Sequence, residues 1–173
     1  MKKVTTPLTK QARVKLKCGE EVLLSGTIYT ARDAAHKELV RLINEKKKLP
    51  FELKDAVIYY AGPTPERADG SFGSCGPTTS SRMDKFTPAL LDKGIAATIG
   101  KGSRSPVARN SIKKNKAIYF LAIGGAGAYL AKRITSSVTI AFKKLGPEAI
   151  YKLKVKDLPL IVGIDSGGCD IYA

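Results

Sequence analysis

Residues 95–123, IAATIGKGSRSPVARNSIKKNKAIYFLAI, decide how this chain is to be read. Ile95 to Ile99 is a short apolar run of strand character, and Gly100-Lys101-Gly102 is a tight turn that cannot continue it. Ser105-Pro106 then carries the marks of a helix start: a hydroxyl to cap the first free amides, and a proline where its missing N–H is harmless. That helix is predicted to run to about Asn115, and Ala117 to Ile123 reads as a second buried strand. Strand, helix and strand in succession is the alternation from which α/β folds are built.

The pattern extends in both directions. Upstream, Ala56 to Tyr60 is a buried strand, and Thr87-Pro88 opens a short helix that ends at Gly94. Thr30 followed by Asp33 has the form of a capping box, and Ala31 to Glu45 places Ala35, Leu39, Leu42 and Ile43 on a helical period. Ala12 to Leu16 alternates, Gly19-Glu20 turns, and Val22 to Tyr29 is again strand-like, which predicts a hairpin. Downstream, Gly124 to Gly127 turns into a helix through Ile134, Val138 to Phe142 is a strand, and Ile150 to Val155 and Leu160 to Ile164 are two more. The tail offers a Gly167-Gly168 turn and a short Asp170 to Tyr172 extension. About eight strands with about three or four helices, joined partly by hairpins and partly by helices, predict an α/β fold with a mixed sheet and helices on one side. Residues 1–173 contain no repeat or linker and are expected to form one domain.

Composition narrows the function classes. A net charge of +15 sets a positive field that favours anionic partners without choosing among them. Much of the excess lies in lysine runs at Glu45 to Lys48, Lys113 to Lys116 and Lys143-Lys144, the usual content of solvated helix ends and turns. Tryptophan is absent, and Tyr59, Tyr60, Tyr119 and Phe120 sit in apolar runs, so base stacking is not indicated and no nucleic-acid partner is expected. Cys18, Cys75 and Cys169 are odd in number and widely spaced, with neither a disulfide framework nor metal-ligand spacing, so reduced thiols and no metal site in this chain are expected. Met1 to Lys10 lacks an apolar core and no apolar run approaches the roughly 18 residues of a membrane span, so no membrane association and a cytoplasmic location are expected.

Two glycine motifs fail on inspection. Gly125-Ala126-Gly127 begins like a dinucleotide fingerprint, but Leu130 stands where the third glycine belongs and no acidic residue follows at the required distance. Gly100-Lys101-Gly102 lacks the hydroxyl residue of a phosphate-binding loop, although Lys101 keeps an ammonium able to fold over a ligand that the glycine backbone lets approach. His36 is the sole histidine and shares the first helical turns with Arg32 and Asp33. It reads either as a histidine packed in its helix, with Asp33 used as the cap, or as a support for Arg32. Serine or cysteine in a triad setting is not found.

The long stretch from Gly62 to Asp84, with Pro63, Pro65, Gly70, Gly73, Gly76 and Pro77, is too poor in core residues to be anything but a functional or disordered loop. Within it Gly76-Pro77-Thr78-Thr79-Ser80-Ser81-Arg82-Met83-Asp84 joins a rigid turn to adjacent hydroxyls and an arginine fork that suits a carboxylate. Adding Arg32 and Lys101 gives three cations at the ends of separate elements, enough to clamp both ends of a small dicarboxylate.

These segments resemble a known family. Thr27 to Lys37, Gly76 to Asp84, Ile99 to Gly102, Gly124 to Ala126 and Pro159 through Asp165-Ser166-Gly167 together look like the beta subunit of class I, iron–sulfur fumarate hydratase and the related L(+)-tartrate dehydratase. The resemblance covers nearly the whole chain, in order, and implies a swivelling β/β/α domain. It implies that Arg32, Thr79, Arg82 and Lys101 bind substrate, that Thr78 is the general base at carbon, and that Asp33, His36 and Asp84 support them from behind. It implies further that a [4Fe-4S] cluster is held by a separate alpha subunit, since Cys18, Cys75 and Cys169 do not match its ligands. The expected reaction is reversible hydration of fumarate to L-malate, with conversion of L-tartrate to oxaloacetate as the alternative, and a beta–beta contact within a heterotetramer is a further expectation. Outside this family, a basic nucleic-acid-binding module or a purely structural subunit are the competing classes.

Overall fold

The computed structural model describes residues 1–65, 67–69 and 71–173; Glu66 and Gly70, the latter one of the loop glycines named above, lie outside the described residues. In chain order the strands are β1 (Lys2–Thr5), β2 (Glu21–Thr30), β3 (Val57–Tyr59), β4 (Ala97–Gly100), β5 (Ile118–Leu121), β6 (Ile134–Ala141) and β7 (Ile150–Ile164). The helices are α1 (Lys10–Arg13), α2 (Asp33–Asn44), α3 (Thr87–Leu91), α4 (Pro106–Lys114) and α5 (Gly127–Ala131), with 3-10 turns at Ser80–Met83 and Lys143–Glu148.

Strands β2, β3, β4 and β5 are neighbours and parallel, as the intervening helices require. The long β7 runs antiparallel to both β5 and β2, so the hydrogen-bonded circuit returns to its start and the mixed sheet closes into a barrel-like core. Strand β1 extends the parallel side beside β2, and β6 lies along the outer edge of β7.

Alternation along the strands sorts side chains between two cores. Val57, Tyr59, Ile99, Phe120, Leu153 and Val162 fill the barrel interior. Ile58, Tyr60 and Tyr119 point outward beneath Ala35 and Leu39 of α2, Leu90 and Leu91 of α3 and Ile112 of α4. The two walls of the barrel and this helical layer make the β/β/α arrangement. Each fully buried Leu, Ile or Phe adds about 1.5–3 kcal/mol, so the two cores hold the strand ends firmly. Ser105 caps α4 by accepting from the Ala108 amide, with Pro106 at the first helical position, as its sequence predicts.

Four expectations are corrected. Ala12–Leu16 is not a strand: Thr9 caps the short helix α1, and Leu8 before it and Leu16 after it are the residues that enter the core, while Val14 between them is exposed. The predicted hairpin is therefore absent among the described residues, and β1 pairs with β2 in parallel. Thr30 forms no capping box; its hydroxyl accepts from the Tyr151 amide at 3.0 Å and donates to the Ala149 carbonyl at 3.4 Å. Ile150–Val155 and Leu160–Ile164 are parts of one strand, because Asp157 adopts a left-handed conformation (φ 49°) within it and pairing resumes on both sides. Helix α5 stops at Ala131, and Ile134 opens β6, starting earlier than the predicted Val138. No helix among the described residues is long and apolar enough to cross a membrane.

Candidate functional site

Because β2 to β5 are parallel, their carboxyl ends share one pole of the barrel, the position where α/β sheets place ligands. Arg32 follows β2, Gly62 follows β3, Lys101 follows β4 and Gly124 follows β5. The segment after Gly62 returns over this pole and inserts between the ends of β3 and β4. The Thr78 amide donates to the Tyr60 carbonyl at 2.7 Å, the Lys101 amide to the Thr78 carbonyl at 3.3 Å, and the Ser80 amide to the Lys101 carbonyl at 3.0 Å. Thr78 and Thr79 are thereby fixed beside Lys101 by main-chain bonds, with Thr79 bridging Lys101 as a parallel pair. Gly100 is needed for this insertion, since a Cβ there would run into Ser80 Oγ.

The backing is polar and buried. The Tyr119 hydroxyl donates to the Gly102 carbonyl at 2.7 Å and lies 2.9 Å from Ser80 Oγ, tying the threonine loop to the lysine turn from beneath. Burial pushes its phenol up, so it stays protonated and available as a donor. Asp84 lies in this layer, turned away from the surface. Its carboxylate accepts from Arg104 Nε at 2.6 Å and from the Ser105 amide at 2.7 Å, and the buried Arg104 also reaches Thr87 Oγ1 at 2.8 Å. Sequence reasoning missed Tyr119, Ser80 and Arg104; Arg104, a lone arginine between a glycine turn and a helix cap, was the one visible signal.

Arg32, Asp33 and Arg82 meet at the start of α2. Asp33 binds Arg82, with Nε donating to Oδ1 at 3.0 Å and Nη2 3.0 Å from Oδ2, so Asp33 is not the helix cap. The Arg32 side chain lies against Gly62, where a Cβ would come within 3.1 Å of its Cδ and Nη1. Its Nη2 is 3.6 Å from Glu148 Oε1, its buried Nε has no hydrogen-bond partner among the described residues, and the side chain is partly exposed, so the guanidinium can still meet a further carboxylate. His36 is fully buried, and its Nδ1 is 2.8 Å from the Arg32 carbonyl. Burial pushes its pKa down to about 4, so the imidazole is neutral at ordinary pH and touches Arg32 only through the main chain. Lys101 passes over Gly124, its Nζ 3.9 Å from where a Cβ would sit. With Thr79, Arg82 and Lys101 exposed and Thr78 half-buried, the cluster is one open wall carrying two hydroxyls and three cations.

The cysteines do not fit an iron–sulfur cluster. Cys75 is buried behind the threonine loop, its thiol pushed up to about 12 by burial. Cys18 and Cys169 lie at the opposite pole, where the Asp165 carboxylate accepts from the Cys18 amide at 3.2 Å, the Cys169 amide at 3.1 Å and the Gly167 amide at 2.9 Å. Asp165-Ser166-Gly167 thus closes a turn far from Thr78. Among the described residues no three His, Cys, Asp or Glu side chains gather to hold a metal ion.

Comparison with known proteins agrees in extent with this layout. The family profile described as Fumarase C-terminus matches residues 2–173. Fumarate hydratase 2 of Leishmania major is 38% identical over 157 residues, which is 90% of this chain but 28% of that protein. The putative L(+)-tartrate dehydratase subunit beta of Methanocaldococcus jannaschii is 39% identical over 171 residues, covering 95% of this chain and 88% of its own length. The L(+)-tartrate dehydratase subunit beta of Escherichia coli K12 is 31% identical over 179 residues, covering 100% and 88%.

Proposed function

The chain belongs to the fumarase C-terminus family of hydro-lyases, and we propose that it is the beta subunit of a cytoplasmic fumarate hydratase, folded as one domain and active only with an alpha subunit that carries a [4Fe-4S] cluster. The observation that carries this reading is the convergence of Arg32, Thr78, Thr79 and Lys101 on the carboxyl ends of parallel strands. In it, Arg32, Arg82 and Lys101 hold the two carboxylates of the substrate, and Thr79 adds a hydrogen bond. Thr78 Oγ exchanges a proton with the carbon next to the one that bears hydroxyl, so that malate loses the elements of water to give fumarate and regains them in reverse. A free threonine hydroxyl is far too weak an acid for this, so in this reading its alkoxide is held by neighbouring cations, Lys101, beside which main-chain bonds fix Thr78, and Arg82, four residues on in the same loop. The positive field over the protein draws in the dianion. The open wall formed by Thr79, Arg82 and Lys101 is what a second subunit would cover.

Length favours a second reading. The chain spans only 28% of the Leishmania fumarate hydratase but 88% of each tartrate dehydratase beta subunit, so L(+)-tartrate giving oxaloacetate is the alternative reaction on the same residues. Anaerobic co-production with the cysteine-bearing alpha subunit, followed by ultraviolet assay of fumarate from L-malate and of oxaloacetate from L-tartrate, separates the two. Thr78→Ala should lower kcat by about 10²–10⁴-fold with assembly intact; an assembled variant of undiminished turnover would remove Thr78 from the chemistry.

A further inference from the structure

The geometry points to Glu148 as a positioning residue for Arg32, a role that rests on the reading that Arg32 holds a substrate carboxylate. Glu148 ends the 3-10 turn Lys143–Glu148 just before β7, whose start lies at the same pole as the ends of β2 and β3. Its two carboxylate oxygens do different things. Oε2 accepts from the Ala34 amide at 2.9 Å, replacing the side-chain cap that α2 otherwise lacks. Oε1 stands 3.6 Å from Arg32 Nη2.

One carboxylate thus fixes both the first turn of the helix that starts beside Arg32 and the direction of the guanidinium. The opposite side of the slot is Gly62, where a Cβ would meet the Arg32 side chain at 3.1 Å and the Pro147 carbonyl at 3.0 Å, so Arg32 is held between Gly62 and the 147–148 segment. The ion pair is longer than a hydrogen bond and both side chains are about a quarter exposed, 25% and 26%. Such a pair adds little to folding stability. Its effect is on orientation: it restrains one end of the guanidinium of a side chain that is still partly exposed to an incoming carboxylate.

The test uses the assembled, cluster-loaded complex. Glu148→Gln keeps an oxygen for the Ala34 amide and removes the charge. The expected result is a KM for the dicarboxylate raised about tenfold with kcat within about twofold, because a restraint on carboxylate binding acts on ground and transition states alike. Glu148→Asp, which keeps the charge, should recover part of the loss. In an Arg32→Ala background Glu148→Gln should not lower kcat/KM further, since its route to the substrate has been removed; a helix-capping role alone would lower it in both backgrounds. An active wild type whose KM is unchanged or reduced in Glu148→Gln overturns the role of Glu148 and leaves the functional reading standing. A Glu148→Gln chain that does not fold marks the residue as structural and overturns the role as well. A correctly assembled wild-type complex that turns over neither malate nor tartrate overturns the functional reading and this role together.

Discussion

Acid should destabilise this protein through its single histidine. His36 is fully buried against Tyr60 and Phe86, its ring 5.3 Å and 5.8 Å from theirs. A carbonyl can only accept, so the bond to the Arg32 carbonyl places the hydrogen on Nδ1 and leaves Nε2 as the basic nitrogen, which has no partner among the described residues. Burial first, and then the Arg104 guanidinium, disfavour the imidazolium, while the Arg32 carbonyl and Asp33 oppose them only in part; the pKa falls from 6.5 to about 4. The unfolded chain therefore takes up a proton near pH 6.5 and the native chain not until about pH 4. Between those values the unfolded state binds more protons, so stability rises with pH; the stabilisation is complete above the unfolded pKa and is lost as pH falls through the window. The whole interval corresponds to about 3 kcal/mol, and about 2.5 kcal/mol of it is gone by about pH 4.5. His36→Asn retains a donor for the Arg32 carbonyl and cannot ionise. Urea unfolding of both proteins at about pH 7.5 and about pH 4.5 isolates the histidine, because every carboxylate is common to the pair. The stability of the wild type relative to the variant should drop by about 2.5 kcal/mol on acidification. A difference that does not change with pH, or an imidazole resonance that titrates near 6.5 in the folded protein, would refute the argument.

Two further outcomes follow from the layer beneath the threonine loop. Asp84→Asn leaves the buried Arg104 guanidinium without its counter-charge and should cost about 3–5 kcal/mol in urea unfolding, while the folded fraction keeps its substrate KM because Asp84 faces away from the open wall. Tyr119→Phe unpairs the Gly102 carbonyl and deprives Ser80 of its neighbour, with a loss of about 1–3 kcal/mol. Hydrogen exchange at the Ser80 and Lys101 amides should quicken more than at β3, and uniform exchange rates in the two proteins would show that the phenol does not hold the loop.

What could be read from sequence was whatever depends on neighbours along the chain. Strands β3, β4 and β5 are apolar runs bounded by turns, and α4 carries its own cap and proline, so each was visible locally. The glycine turn at 100–102 and the threonine loop were visible too, as backbone that no core could use. What failed depends on contacts across the fold. Thr30 looks like a cap until β7 brings the Ala149 carbonyl and Tyr151 amide to its hydroxyl. Residues 156–159 look like a break between two strands until pairing with β2 carries the chain through them. Asp33 was to be a cap or a support, and the arrival of Arg82 from the loop makes it an ion-pair partner. Glu148 has no local signature at all, because its only distinction is the place to which β7 delivers it.

The closure of the barrel also bears on how the protein is made. Strand β7 comes after β2 to β5 in the chain, and it is the element that joins β5 to β2, pairing Ile161 with Glu21 and Lys152 with Tyr29. During synthesis the apolar interior faces of β2 to β5 therefore wait until β7 has been added. Pairings this distant along the chain make closure slow, and until it occurs the unsealed strands are open to association with other nascent chains. A chain cut short before β7 would keep its helical layer over an unclosed barrel, and the demand on chaperones should be greatest between the emergence of β5 and the pairing of β7.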